Sequence, residues 1–443
     1  MRRRARTRAD TGAVTGQASD ALPTAPEGVG DLLPPEASSR RALTARILRT
    51  FELAGYELVV PPLFEHADVI ARGTDGIDGR DLLRFVEPES GEVAVLPPDV
   101  TPQIARIVAT RLAGRPRPLR LCYEARVFRR TRGRARRHRQ ISQAGVECVG
   151  LPGPEGDAEV IALAARACEE AGLRGYRIEL GELTLVRSVL ESLPASARTL
   201  VSEMLARKDP AALSAMLKER GASREATRRV LALMAHSGDR SVLERAAAAF
   251  PGKAAQAALR NLRAVTDRLT RAGLGERIAL DLGEPRGLSY YTGVRFALLA
   301  LGPGEEVGGG GRYDSLLARY GAPAPATGFA LDLHHLQWAL VASGRAAAAS
   351  RTSRVVVAGA DADRAHDAAR RLRAAGVVAA TLSGATRHEA LAYARGWGYH
   401  GVLMIARGSM RLMRVSDGRE RSIAKLEARV IARHVGAASS GEG

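Results

Sequence analysis

The chain has 443 residues, 46% of them hydrophobic, and a formal charge of +18 at neutral pH. That length supports two or three domains with sizeable cores, and no apolar run reaches the ~20 residues a membrane helix requires. Cys122, Cys148 and Cys168 are too few for a disulfide framework and lack metal-ligand spacing, which fits a reducing cytoplasm. A basic surface attracts phosphate backbones. Here, however, only Lys208, Lys218, Lys253 and Lys425 are lysine, and the arginines travel with alanine and glycine, a combination that suggests a coding bias toward G and C. Aromatic residues make up 4% and do not interleave with the arginines, so no stacking platform for single-stranded bases is apparent.

Residues 1–25 begin with charge but have no apolar segment of signal-peptide type, and read as a disordered basic tail rather than a secretory leader. Arg41 to Ala54 has the spacing of an amphipathic helix. Leu82–Val86 and Glu92–Leu96 flank Glu89-Ser90-Gly91 as a hairpin, and Gln103 to Leu112 suits a helix with Pro102 near its first turn. Asp157 to Gly172 is a further helix, followed by a strand at Tyr176–Leu180. From about 185 to 273 the pattern is wholly helical and alanine-rich, broken by Pro194, Pro210 and Pro251. Strands return at Arg277–Leu282 and Val294–Leu301. A small-residue linker, 341–353, leads to a unit over 354–436 with the order βαβαββα, which implies a mixed α/β sheet. Residues 437–443 read as a flexible tail. The alanine runs at 246–249 and 346–349 belong to helix or linker, and no internal repeat is present.

Residues 119–150, LRLCYEARVFRRTRGRARRHRQISQAGVECVG, carry the most information. Alternation before and after an arginine-packed loop has the period of two expected of strands. Side chains of one parity share a face, so Gln143 and Glu147 point the same way. Arg126, Arg129, Arg130, Arg132, Arg134, Arg136, Arg137 and Arg139 lie between the runs, and guanidinium groups suit bidentate contact with phosphate or carboxylate. A solvated basic hairpin is the simpler alternative. Against it stand the acid and amide on one face beside that charge.

The segment YEARVFRRTRGRARRHRQISQAGVE resembles motif 2 of class II aminoacyl-tRNA synthetases, the histidyl branch in particular. GYELVVPPLFE (Gly55 to Glu65) resembles motif 1, the helix and proline-bearing strand through which these enzymes dimerise. RGLSYYTG (Arg286 to Gly293) is similar to the histidine-specific tyrosine motif. GGGGRYDSLL (Gly308 to Leu317) with ATGFALDLHHL (Ala326 to Leu336) resembles the glycine-rich strand and motif 3. Four motifs in order imply an α+β fold: a class II synthetase-like antiparallel sheet core flanked by helices over 26–340, a helical insertion at about 185–273, and an anticodon-binding-like α/β domain at 354–436.

The resemblance implies a histidine pocket. Asp99 and Gln143 fall where the family holds the ammonium, and Glu147, Tyr290 and Tyr291 where it reads the imidazole; a carboxylate and a phenol can partner the two ring nitrogens. Thr101, Arg286 and the Gly308–Gly311 floor complete it. Arg129 and Arg286 match positions that act on phosphate and carboxylate during adenylate formation, and could equally hold the carboxylate of bound histidine. The nucleotide side departs from the pattern: Thr131 replaces the acid that reads adenine, and His335 replaces the motif 3 arginine. Losing one buried charged hydrogen bond costs ~2–5 kcal/mol, and neutral histidine cannot replace a forked guanidinium on phosphate.

A kept histidine pocket with a lost adenylation apparatus resembles the regulatory subunit of short-form ATP phosphoribosyltransferase. The segments PPDVTPQIARIVATRL (Pro97 to Leu112) and YYTGVRF (Tyr290 to Phe296) match it as well. Pro97 departs from that pattern, which usually has arginine. The resemblance implies a non-catalytic, cytoplasmic protein without cofactor or metal. Its expected partners are the catalytic subunit, L-histidine and a second copy through motif 1, and tRNA is not expected. The alternative is an active or divergent histidine–tRNA ligase, motivated by Arg129, Arg286, the basic charge and the C-terminal unit.

Overall fold

The structure, a computed structural model, describes residues 25–73, 82–129, 138–287, 290–345 and 352–435. Its centre is a nine-stranded sheet. Across the sheet the order is Glu57–Leu58, Leu119–Phe128, Gln140–Val149, Ala326–Asp332, Gly308–Arg312, Val294–Ala300, Tyr176–Glu182, Ile278–Asp281 and Ser237–Gly238. Neighbours run antiparallel except at Glu57–Leu58 with Leu119–Phe128 and at Tyr176–Glu182 with Ile278–Asp281. The mostly antiparallel core is the one expected from the motifs.

Helices cover one face. Leu43, Ile47 and Phe51 recur every fourth residue on helix Glu36–Leu53 and are fully buried, each contributing about 1.5–3 kcal/mol through burial. Phe51 meets Phe329 of the sheet edge to face at 5.6 Å. Helix Gly153–Ala171 packs beside it and ends at Gly172, whose left-handed φ of 104° suits glycine. Both helices start earlier than the hydrophobic spacing indicates, because their first turns are polar or small and carry no apolar period.

A short three-stranded sheet joins Glu65–His66, Val93–Leu96 and Leu83–Val86. Helix Thr101–Thr110 follows and begins at Thr101, so Thr101 sits in its first turn and not before it. The segment expected to be wholly helical holds helices from Leu183–Leu190 to Lys253–Arg271 and one exception. Ser237–Gly238 pairs with Ile278–Asp281 and extends the central sheet by one strand. Two residues between helices are too few to show a period.

The C-terminal unit has its own sheet, ordered Val378–Ser383, Arg354–Gly359, Gly401–Ala406, Ser409–Arg414 and Glu420–Ser422. The extra strand Glu420–Ser422 makes the observed order βαβαβββα, and the last helix is Ala428–Val435. All three residues of that strand are exposed, which left it no apolar signature. Residues 1–24 of the tail read at 1–25, and the whole of the tail read at 437–443, lie outside the described residues.

Candidate functional site

A cavity of about 280 Å³ opens on the face of the central sheet away from the long helices. Its floor is glycine. In the strand Gly308–Arg312 a Cβ on Gly310 would lie 2.0 Å from the Gly328 carbonyl oxygen, and one on Gly309 would lie 2.7 Å from the Phe296 carbonyl oxygen. Larger residues are excluded there by neighbouring backbone, which cannot move aside. Arg312 pins the end of this strand: its Nε donates to Asp157 Oδ1 at 2.8 Å and its Nη2 to the Gly153 carbonyl at 2.8 Å. This ion pair is nearly fully buried and locks floor to helix.

Asp99, Thr101, Arg129, Gln143, Arg286, Tyr290 and Tyr291, all expected from the motifs, line the cavity. Glu147 stands directly behind the wall. Thr101 Oγ1 donates to Glu147 Oε1 at 2.7 Å, and Glu147 Oε2 lies against Gly328, 2.0 Å from where a Cβ would sit. Burial pushes the Glu147 carboxyl well above its ordinary range, the Thr101 bond opposes this, and Asp99 adds repulsion. Gln143 Oε1, Glu147 Oε2 and the Tyr313 hydroxyl are buried without a hydrogen-bond partner among the described residues. The Tyr290 hydroxyl lies beside Thr101 without completing a bond of normal geometry.

Buried polar atoms without partners each cost about 1–3 kcal/mol. A group of them around one cavity is an arrangement whose bonds a polar ligand could complete. Tyr290 meets Tyr291 edge to face at 5.0 Å and Tyr313 at 5.5 Å, forming an aromatic corner above the floor. Burial raises the phenols of Tyr123 and Tyr290 well above their ordinary range and also raises that of Tyr291. They remain protonated donors.

Three guanidinium groups and three carboxylates share the lining. Arg286 makes a bidentate pair with Glu284, Nε to Oε1 at 2.7 Å and Nη2 to Oε2 at 2.8 Å. Arg129 donates through Nε to the Pro98 carbonyl at 2.8 Å. Arg295 donates through Nη2 to Glu306 Oε2 at 2.7 Å. Asp332, also on the wall, accepts from the backbone N–H groups of His334 and His335 at 2.9 and 3.1 Å, capping helix Leu333–Ala342. His335 does not line the cavity. Its Nδ1 meets the Glu306 carbonyl oxygen at 2.9 Å, directing the ring into the protein. Thr131 and the loop arginines Arg130, Arg132, Arg134, Arg136 and Arg137 lie outside the described residues.

Tyr123, Tyr313, Arg295, Glu306 and Asp332 are lining residues that motif reasoning did not single out. For Tyr123 a signal existed, since it stands two strand positions from Leu121 and opposite Gly145 in the hairpin. Arg295 and Glu306 gave none. They are eleven positions apart and meet only because Val294–Ala300 and Gly308–Arg312 pair.

Comparison with known proteins agrees with this architecture. Residues 28–336 match the family model described as histidyl-tRNA synthetase. The ATP phosphoribosyltransferase regulatory subunit of Syntrophotalea carbinolica is 38% identical over 90% of this chain and 94% of its own. The protein of the same name from Moorella thermoacetica is 42% identical over 84% of this chain and 94% of its own. Among solved structures, an ATP phosphoribosyltransferase regulatory subunit/histidyl-tRNA synthetase from Bacillus halodurans aligns with TM-score 0.75 and 26% identity, covering 88% of this chain and 98% of that one. Histidyl-tRNA synthetase from Nostoc sp. aligns with TM-score 0.78 at 21% identity, over 93% of this chain and 99% of that one; at that identity it speaks for the fold. With its motifs in order and its relatives matched nearly end to end, the chain belongs to the ATP phosphoribosyltransferase regulatory subunit family, on a histidyl-tRNA synthetase-like class II fold.

Proposed function

We propose that this protein is a non-catalytic regulatory subunit of ATP phosphoribosyltransferase, the first enzyme of histidine biosynthesis, and that its cavity binds L-histidine to set the activity and feedback control of the catalytic subunit. One observation carries the reading of the cavity: the unpartnered polar atoms of Gln143, Tyr290 and Tyr313 belong to residues that line one cavity, with the open oxygen of Glu147 directly behind its wall. Asp99 and Gln143 take the ammonium of the ligand. Glu147 and the tyrosines take its imidazole, whose two nitrogens need one partner each. The guanidinium groups on the wall face its carboxylate.

The same reading gives adenylation no apparatus, because His335 points into the protein and Asp332 and Glu306 put negative charge on the cavity wall. It divides the chain into a core over 26–340, a linker, and an anticodon-binding-like unit at 354–436 that needs no tRNA. The protein works in the cytoplasm, as a hetero-oligomer with short-form catalytic subunits. Self-association through motif 1 is supported by the apolar side chains of Leu53, Leu58, Val60, Leu63 and Phe64, all exposed in the single chain. No helix among the described residues is long and apolar enough to cross a membrane.

Calorimetric titration with L-histidine, paired with histidine-dependent ATP–pyrophosphate exchange, tests the proposal. Histidine should bind and exchange should stay at background. Robust exchange would make the protein a histidine–tRNA ligase, and the lack of any histidine binding would refute the sensor.

A further inference from the structure

One transverse row of the central sheet runs beneath the cavity, with Gly328 and Arg295 in the cavity lining. In register, Glu147 faces Gly328, Gly328 faces Gly311, and Gly311 faces Arg295. Residues directly opposite on neighbouring strands share a face, so the side chains of Glu147 and Arg295 rise on the same side of the sheet. The backbone between them is two glycines, with the Tyr291 ring over Gly311 and the Tyr313 hydroxyl over Gly328. Three strand spacings of about 4.8 Å put their Cα atoms roughly 14 Å apart, and both side chains reach inward over a floor that carries no Cβ. A carboxylate stands at one end of this trough and a guanidinium at the other.

An amino acid laid along the trough needs, for its own carboxylate, a cation that is desolvated, fixed in place and able to release a donor. Arg286 spends two arms of its fork on Glu284, and its side chain is 52% exposed. Arg129 is exposed and held by the Pro98 carbonyl at the end of the described hairpin strand. Arg295 is different: its side chain is 7% exposed, it lines the cavity, and its partner is the looser Glu306, 35% exposed. A buried arginine needs a counter-charge when the cavity is empty. Glu306 supplies one that a ligand carboxylate can displace toward solvent.

We propose that Arg295 binds the α-carboxylate of the amino acid in this cavity, with Glu306 as the internal carboxylate it exchanges for that of the ligand. Arg295 is thereby the residue that selects a free amino acid over the corresponding amine. The proposal rests on the histidine-binding reading and deepens it. Glu147 at one end of the row senses the ring, and Arg295 at the other senses the carboxylate.

Titrating the full-length protein with histidine and with histamine, which lacks the carboxylate, separates the two ends. Arg295→Met should weaken histidine binding by about 30-fold, the scale of a lost charged hydrogen bond, and leave histamine no weaker. Glu306→Gln lies at the partly exposed partner and keeps the buried arginine, so it guards against a folding defect. It should tighten histidine about threefold relative to histamine, a gain of the size expected from removing one partly exposed competing charge. Equal weakening of both ligands by Arg295→Met would reduce Arg295 to a packing role, and an unchanged histidine-to-histamine ratio would overturn the assignment. So would loss of that ratio in Arg286→Met with Arg295→Met unaffected. If wild-type protein binds neither ligand, the reading of the cavity itself falls, an outcome distinct from the others.

Discussion

The two ends of the cavity obey different rules. At the inner end Gln143, Glu147, Tyr290 and Tyr313 are buried with polar atoms left open, and glycine keeps the floor bare. At the outer end Asp332 already caps a helix N-terminus, Arg286 is paired with Glu284, and His335 has turned its ring onto the Glu306 carbonyl. The inner end keeps polar atoms without partners among the described residues, whereas the outer end has paired its own. A protein surface that has found its own partners has little left for a triphosphate, and its two wall carboxylates repel one. The contrast is the one that the proposed histidine sensor on a synthetase-like fold requires.

The sharpest way to break the contrast is to fill the floor. In Gly328→Ala the new Cβ would fall 2.5 Å from the Val146 carbonyl oxygen and 2.7 Å from the Tyr313 hydroxyl. Backbone cannot yield, so histidine binding should be lost and stability should drop by about 1–3 kcal/mol. Calorimetry and urea denaturation would show both, and wild-type affinity in this variant would move the ligand elsewhere.

A smaller change tests the inner carboxylate alone. Glu147→Gln should weaken histidine binding by about 1–3 kcal/mol through loss of the carboxyl's hydrogen bond to the ring, and an unchanged affinity would refute its role. The same variant has a pH signature. Burial raises the folded-state pKa of Glu147 above the ordinary 4.5, so the native state keeps a proton that the unfolded chain releases. Stability therefore falls as pH rises from about 4.5 toward that raised value and levels off beyond it. Denaturation midpoints measured across this range should flatten in Glu147→Gln.

The smallest effect belongs to the outer end. His335→Arg restores the guanidinium that a class II nucleotide site uses, yet Asp332 and Glu306 remain on the wall. ATP–pyrophosphate exchange should stay at background, with a stability cost of about 1 kcal/mol for the lost bond to Glu306. Appearance of exchange would show that one side chain, and not the remodelled wall, had switched the chemistry off.

Much of the inner end was legible in the chain itself. Alternation in ISQAGVE places Gln143 and Glu147 on one face, and the structure sets both at the cavity, Gln143 on its wall and Glu147 just behind it. The run Gly308–Gly311 reads as a floor because only glycine lets a ligand approach that closely. The tyrosine pair Tyr290 and Tyr291 reads, by resemblance, as part of the imidazole site, and both residues line the cavity. Helix starts were less visible, since first turns are polar, and the exposed strand Glu420–Ser422 had no apolar mark.

Sequence by itself determined the periodicities, the glycine floor, the order of the four motifs and hence the family, because each is a local or linear property of the chain. Tertiary structure alone decided which end of the cavity stays open. The row joining Glu147 to Arg295 runs through four strands taken from residues 140–332, and the Arg295–Glu306 pair forms only when those strands align. Cross-strand register is set by the packing of the whole sheet, and no local spacing records it.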